Sequence, residues 1–150
     1  MTARRAAVPF IFVTVVLDVV SLGIIIPVLP HLIEDFLGGD TVRAASWYGV
    51  FVTVAAGMQF ICSPLIGMLS DRFGRRRVIL LSNFGLGLDY FVMALAPTLG
   101  WLFLGRVVSG ITGASWTTAG AYIADVTPKE RRAAGFGLLG AAFGLGFVLG

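Results

Sequence analysis

Apolar positions fall into five long runs separated by short polar segments. The runs cover residues 8–29, 47–69, 78–96, 101–123 and 133–150. A run of about 20 residues, at a rise of 1.5 Å per residue, crosses a hydrocarbon core of roughly 30 Å. Backbone groups inside such a core must bond to one another, so each run is predicted to be a helix. The pattern predicts four full transmembrane helices and most of a fifth.

Composition agrees with a chain whose solvent is lipid. Of the 150 residues, 57% are hydrophobic and 13% are charged, whereas a soluble domain is roughly 25% charged. High hydrophobicity excludes disorder, and the single cysteine, Cys62, excludes an internal disulfide framework. The 11 lysines and arginines lie between the apolar runs. This distribution indicates a lipid bilayer rather than a nucleic acid as the partner.

The distribution of lysine and arginine also predicts the orientation. The N-terminus carries Arg4 and Arg5, and the four connecting segments that follow carry one, four, none and three basic residues. Basic residues are enriched on the cytoplasmic side of membrane proteins. We therefore expect an all-α, multi-pass protein with its N-terminus and its second and fourth connections in the cytoplasm.

Three charged residues, Asp18, Asp89 and Arg106, lie inside apolar runs. Each costs roughly 2.5–3.5 kcal/mol near a helix centre, so we expect them to face a polar interior, a cavity or one another. Two interpretations stay open. Asp89 and Arg106 are either a structural pair between helices or part of a substrate and proton pathway. Asp18 is the stronger candidate for proton exchange, because it lies in the middle of its run.

Glycines in the fifth run suggest close helix packing. Residues 135–140 match the spacing G-x-G-x-x-G, but this segment lies in an apolar span and follows no strand, so a dinucleotide site is excluded. Gly146 and Gly150 form a GxxxG pair, as do Gly140 and Gly144. Such pairs allow neighbouring backbones to approach closely.

Residues for catalysis or metal binding are few. The single histidine, His31, is in the first polar connection, and no H-E-x-x-H or G-x-S-x-G motif is present. We therefore expect no enzymatic activity, no metal and no cofactor.

The segment Gly67–Arg76, with sequence GMLSDRFGRR, resembles the signature loop between the second and third helices of the major facilitator superfamily. All ten positions fit that pattern. Residues 17–30, 88–90, 104–114 and 122–125 further resemble the bacterial tetracycline/proton antiporters of this superfamily. The resemblance covers essentially the whole chain and implies the N-terminal part of a major facilitator helix bundle.

This resemblance implies roles for particular residues. The positions of Asp18 and Asp89 correspond to carboxylates of the drug and proton pathway, and that of Arg106 to an arginine of proton coupling. Gln59 matches a polar cavity position of the second helix.

On the cytoplasmic side, the resemblance implies a charge relay that latches one conformation. Asp71, Arg75 and Asp125 match its members, and Arg72 belongs to the same basic loop. Gly67 and Gly74 are the signature-loop glycines, and Gly74 is expected to turn the chain.

The implied activity is proton-coupled efflux of tetracycline-like or other small drug-like molecules across the bacterial inner membrane, powered by the proton gradient. Trp116 departs from the small residues of the antiporters, and a tryptophan there would reshape a cavity and disfavour tetracycline itself. Family members have about 12 helices in two halves, so we expect the C-terminal half to be absent and these residues alone not to transport. A transporter of another solute, such as a sugar, and an inactive membrane protein with a packing role stay as alternatives.

Overall fold

The computed structural model describes residues 2–113 and 115–150, with side chains for 8–113 and 117–150. The helices are α1 (Thr2–Phe36), α2 (Thr41–Phe73), α3 (Arg75–Ala94), α4 (Leu99–Thr112), α5 (Ser115–Val126) and α6 (Arg132–Leu149), and a 3₁₀ turn at Lys129–Arg131 precedes α6. Four helical segments of the described chain are long and apolar enough to cross a membrane, namely Val8–Phe36, Thr41–Phe73, Arg75–Ala94 and Lys129–Leu149. The predicted all-α fold is confirmed.

The helices extend beyond the apolar runs at several ends. α1 continues from the apolar run to Phe36, and α2 begins at Thr41 rather than at residue 47. Hydropathy marks the stretch of helix that lipid can cover, whereas capping determines where the helix ends. Gly38 and Gly39 have φ values of 69° and 88°, and Asp40 caps α2 by accepting a 3.0 Å hydrogen bond from the Arg43 N–H.

The basic connection between α2 and α3 is almost entirely helical. Gly74 alone separates the two helices, with φ 96° and ψ 130°, and its N–H donates to the Ser70 carbonyl. A residue with a Cβ is strained at this positive φ. Gly74 therefore turns the chain within one residue, at the place that the sequence suggests.

Within the fourth apolar run, 101–123, α4 ends at Thr112 and α5 begins at Ser115. Next to this junction, the Thr112 hydroxyl donates to the carbonyls of Val108 and Ser109. Such bonds compete with the backbone ladder of a helix and favour bending. The Gly113 N–H donates to the Ser109 carbonyl at 2.8 Å and closes α4.

Two apolar clusters hold the bundle together. One joins α1, α3, α5 and α6, and the other joins α1, α2, α3 and α4. The first consists of Ile11, Val15, Val19, Ile79, Ala119, Ile123, Leu139 and Ala142. The second consists of Ile25, Leu29, Ile33, Ala44, Phe51, Met93 and Leu102.

Close packing at the end of α6 against α1 depends on Gly146 and on Gly150, the residue that caps the helix. A Cβ added to Gly146 would lie 2.6 Å from the Val19 Cβ, and one added to Gly150 would lie 3.0 Å from the Gly23 Cα. By contrast, Gly140 and Gly144 have no such neighbour within 4 Å. Only one of the two GxxxG pairs therefore lies in a helix contact of the described chain.

Candidate functional site

A cavity of about 290 Å³ lies among α1, α2, α3 and α4. Aliphatic side chains of α1 and α2 form much of its wall. Its polar groups include Asp18 on α1, Gln59 on α2 and Arg106 on α4, and two tyrosines, Tyr48 and Tyr90, also border it. Three of the four intramembrane residues selected from the sequence therefore meet at one cavity. An apolar cavity with a few convergent polar groups is typical of small-molecule sites.

Gln59 connects the cavity wall to the end of α4. Its Nε2 donates a 3.1 Å hydrogen bond to the Gly113 carbonyl, which lies at the junction with α5. The neighbouring Ser109 and Gly113 also border the cavity. The amide therefore satisfies backbone that would otherwise face an apolar environment.

Asp89 and Arg106 form a buried ion pair between α3 and α4. One Nη of Arg106 lies 2.8 Å from the Asp89 Oδ2, and the side chains are 7% and 0% exposed for Arg106 and Asp89. The same Nη lies 3.0 Å from the Met93 sulfur. Arg106 borders the cavity, whereas Asp89 lies behind it against Gly105, where a Cβ would be 2.6 Å from its Oδ1. The two charges thus compensate each other, and of the two residues only Arg106 lines the cavity.

The hydroxyl of Tyr90 donates to the backbone carbonyl of Ser21, 69 positions earlier in the chain. This contact links α3 to α1 at the cavity wall. The sequence alone does not identify Tyr90 or Tyr48 as site residues, because a tyrosine in an apolar run is compatible with simple packing. The one sequence feature that could have indicated a site role for Tyr90 is its position directly after Asp89.

A second polar cluster joins α2, α3 and α5 at the predicted cytoplasmic end. The Arg75 guanidinium contacts the Asp71 carboxylate at 2.9 Å and the Asp125 carboxylate at 2.5 Å. The carboxylates are more than half exposed, whereas Arg75 is 21% exposed. One guanidinium therefore connects the end of α2, the start of α3 and the end of α5.

The other selected residues lie around this cluster. The Arg72 guanidinium is 5.6 Å from the centre of the Phe73 ring, so the structure places it in a cation–π contact and not between the carboxylates. Gly67 borders a groove between α2 and α5. The side chain of Trp116, which was expected to reshape a cavity, lies outside the described residues. In the described part of the chain, no group of three or more His, Cys, Asp or Glu residues could hold a metal ion.

Comparison with known proteins gives a family match over most of the chain. The profile of the Major Facilitator Superfamily matches residues 11–150. The class C tetracycline resistance protein of Escherichia coli is 53% identical over 137 residues, which are 91% of this chain and 34% of that protein. The class B protein of Escherichia coli is 46% identical over 138 residues, with 92% and 34% coverage. The chain therefore spans about a third of the length of these relatives.

A solved structure shares the arrangement of the helices. The crystal structure of the human organic anion transporter MFSD10 superposes with a TM-score of 0.80 at 28% sequence identity. The match covers 97% of this chain and 40% of that transporter. The resemblance inferred from the sequence is thus confirmed by sequence relatives and by a structural neighbour.

Proposed function

Since the chain belongs to the major facilitator superfamily, we propose that it supplies the first helices of a proton-coupled exporter of small drug-like molecules. It is a multi-pass membrane protein. The observation that carries the proposal is the cavity in which Asp18, Gln59 and Arg106 meet. Similarity to tetracycline resistance proteins supports a drug as the solute and the bacterial inner membrane as the location.

In this proposal, Asp18 exchanges the coupling proton. It borders the cavity, and a carboxylate in a site of low dielectric can exchange a proton during a transport cycle. Arg106 tunes the site, because it lines the cavity and its guanidinium pairs with Asp89. Asp89 acts through Arg106, since its side chain is enclosed. Energy comes from the proton gradient, with no cofactor and no chemical conversion of the solute.

The cluster of Asp71, Arg75 and Asp125 is proposed to latch the cytoplasmic ends of α2, α3 and α5 in one conformation. Its ion pairs are exposed, and each is worth about 1 kcal/mol or less. A latch of this strength stabilises one state and still opens within a transport cycle. Transport is proposed to require the other two-thirds of a transporter as well, because this chain matches about a third of the length of its relatives.

A chimera provides the test. This chain replaces the matching third of the class C tetracycline resistance protein, and uptake of tetracycline into everted membrane vesicles is measured with and without a pH gradient. We expect gradient-driven uptake by the chimera and a loss of about tenfold or more in Asp18→Asn, as expected for a removed proton carrier. Asp35→Asn, at the exposed outer end of α1, is the matched control and should transport normally.

Two results would contradict the proposal. Unchanged gradient-driven uptake by Asp18→Asn would remove Asp18 from the proton pathway. A chimera that inserts into the membrane but shows no uptake, beside an active class C protein, would argue against tetracycline as a solute of this chain.

A further inference from the structure

Tyr90 connects two helices at the cavity. Its hydroxyl donates to the Ser21 carbonyl of α1, while its ring borders the cavity and packs against the apolar cluster that contains Ile25 and Leu29. A phenol in a transmembrane helix is costly unless its hydroxyl has a partner. The acceptor is a backbone carbonyl of α1. The contact therefore restrains the backbone of α1 and not only a side chain.

Just after Ser21, α1 lacks two of the backbone hydrogen bonds of a regular helix. The Ser21 hydroxyl donates to the Leu17 carbonyl at 2.9 Å, and such bonds within a helix favour bending. Pro27 has no N–H, so the Gly23 carbonyl lacks its usual donor four residues later, and Pro30 repeats this effect less than a turn further. Helices bend at such positions. The contact from Tyr90 therefore restrains a segment that is otherwise easy to bend.

Asp18 belongs to this segment. It precedes Ser21 by three residues, which places both on one face of α1, and both border the cavity. On α3, Asp89 directly precedes Tyr90 and pairs with Arg106 of α4. Adjacent residues of α3 thus reach the helix that carries Asp18 and the helix that carries Arg106.

We propose that Tyr90 is a positioning residue: its bond to Ser21 sets where α1 presents Asp18 relative to Arg106, and the bond breaks when α1 bends. The effect of Tyr90 on transport rests on the function proposed above. The restraint of Tyr90 on α1 is independent of that function, because it follows from contacts within the described chain.

The first experiment measures the restraint directly. Leu22 borders the cavity next to Ser21, so Leu22→Cys in a Cys62→Ala background reports on this part of α1. The full chain in bacterial membranes is treated with N-ethylmaleimide, and the labelling rate is compared between Tyr90→Phe and Tyr48→Phe. Tyr48→Phe is the matched control, since Tyr48 borders the same cavity and the structure gives its hydroxyl no hydrogen bond to a described residue.

We expect Tyr90→Phe to raise the labelling rate about three- to tenfold, the range for a hydrogen bond within a membrane protein. Tyr48→Phe should leave the rate unchanged. Tyr90→Trp, which restores an N–H donor, should return the rate toward that of the parent. A role in packing alone predicts the opposite order, because phenylalanine keeps the ring and tryptophan enlarges it. Equal rates in Tyr90→Phe and Tyr48→Phe would overturn the proposal.

Transport by the chimera separates this proposal from the proposed function. Tyr90→Phe should change the maximal rate about threefold with little change in KM, because the ring that borders the cavity is retained. If the labelling rates differ as expected but no chimera transports, the proposed function fails and the role of Tyr90 in restraining α1 stands. If the chimera transports and the labelling rates are equal, the role of Tyr90 fails alone.

Discussion

Removing the Arg106 guanidinium should destabilise the helix bundle more than removing the Asp89 carboxylate. The two groups lie 2.8 Å apart, and their side chains are almost inaccessible. Deleting one partner of a buried ion pair costs about 3–5 kcal/mol, because the other charge stays in surroundings of low dielectric. The two partners differ in whether the unpaired side chain can reach water after the other charge is removed.

Arg106 has an alternative environment, and Asp89 does not. Arg106 lines the cavity, and its long side chain can turn toward water there. The short Asp89 side chain is fully enclosed and lies against Gly105. We therefore expect Arg106→Met to lower the free energy of unfolding by about 3–5 kcal/mol and Asp89→Asn by about 1–3 kcal/mol.

Equilibrium unfolding in mixed detergent micelles, followed by the fluorescence of the three tryptophans, measures both losses. Asp71→Asn removes one partner of an exposed pair and serves as the control, with an expected loss of about 1 kcal/mol or less. Asp89→Leu combined with Arg106→Met should recover most of the loss, because no unpaired charge is left. An Arg106→Met loss no larger than that of Asp71→Asn would refute the claim that the pair is buried from water. Equal losses in the two single variants would refute the asymmetry.

Two glycine substitutions test the packing and the turn in the same unfolding assay. Gly146→Ala should cost about 1–3 kcal/mol through overlap with Val19, whereas Gly144→Ala, with open space around it, should be neutral or stabilising. Equal effects would show that the contact between α1 and α6 tolerates a methyl group. Gly74→Ala should cost about 1–2 kcal/mol because of its positive φ, whereas Gly67→Ala, in the helical part of α2, should stabilise by about 0.5–1 kcal/mol. A stabilising Gly74→Ala would contradict the strained turn.

Hydropathy predicts four of the five expected helices as long and apolar enough to cross a membrane, because lipid requires most residues of a span to be apolar. It predicts helix ends poorly, since these lie in water and depend on local caps. The polar segment 31–36 continues α1 although it is not apolar, and the chain turns at Gly38 and Gly39. The end of α4 at Thr112 also has no hydropathy signal, because apolar residues continue on both sides of it.

Side-chain pairing was only partly predictable. An intramembrane charge must find a partner or a polar space, so the sequence predicts that Asp89 and Arg106 face each other or a cavity. In the structure, Arg106 pairs with Asp89 and also lines the cavity, while Asp89 lies behind Arg106. This arrangement depends on the angle between α3 and α4 and on the missing side chain of Gly105. The bond from Tyr90 to Ser21 was not predicted, because its acceptor is a backbone carbonyl that any residue type at position 21 would supply.

α3 takes part in most of the polar contacts between helices that are described above. At its first residue, Arg75 reaches Asp71 and Asp125, and near its other end Asp89 and Tyr90 reach Arg106 and Ser21. Residues 75 and 90 are about 22 Å apart along a helix.

A helix transmits displacement along its length because its backbone hydrogen bonds resist stretching and bending. No proline interrupts α3, whereas α1 contains three and α2 contains one. Bending is therefore easier in α1 and α2 than in α3. A change in the exposed cluster at Arg75 and a bend of α1 at Ser21 thus act on the two ends of one rigid element.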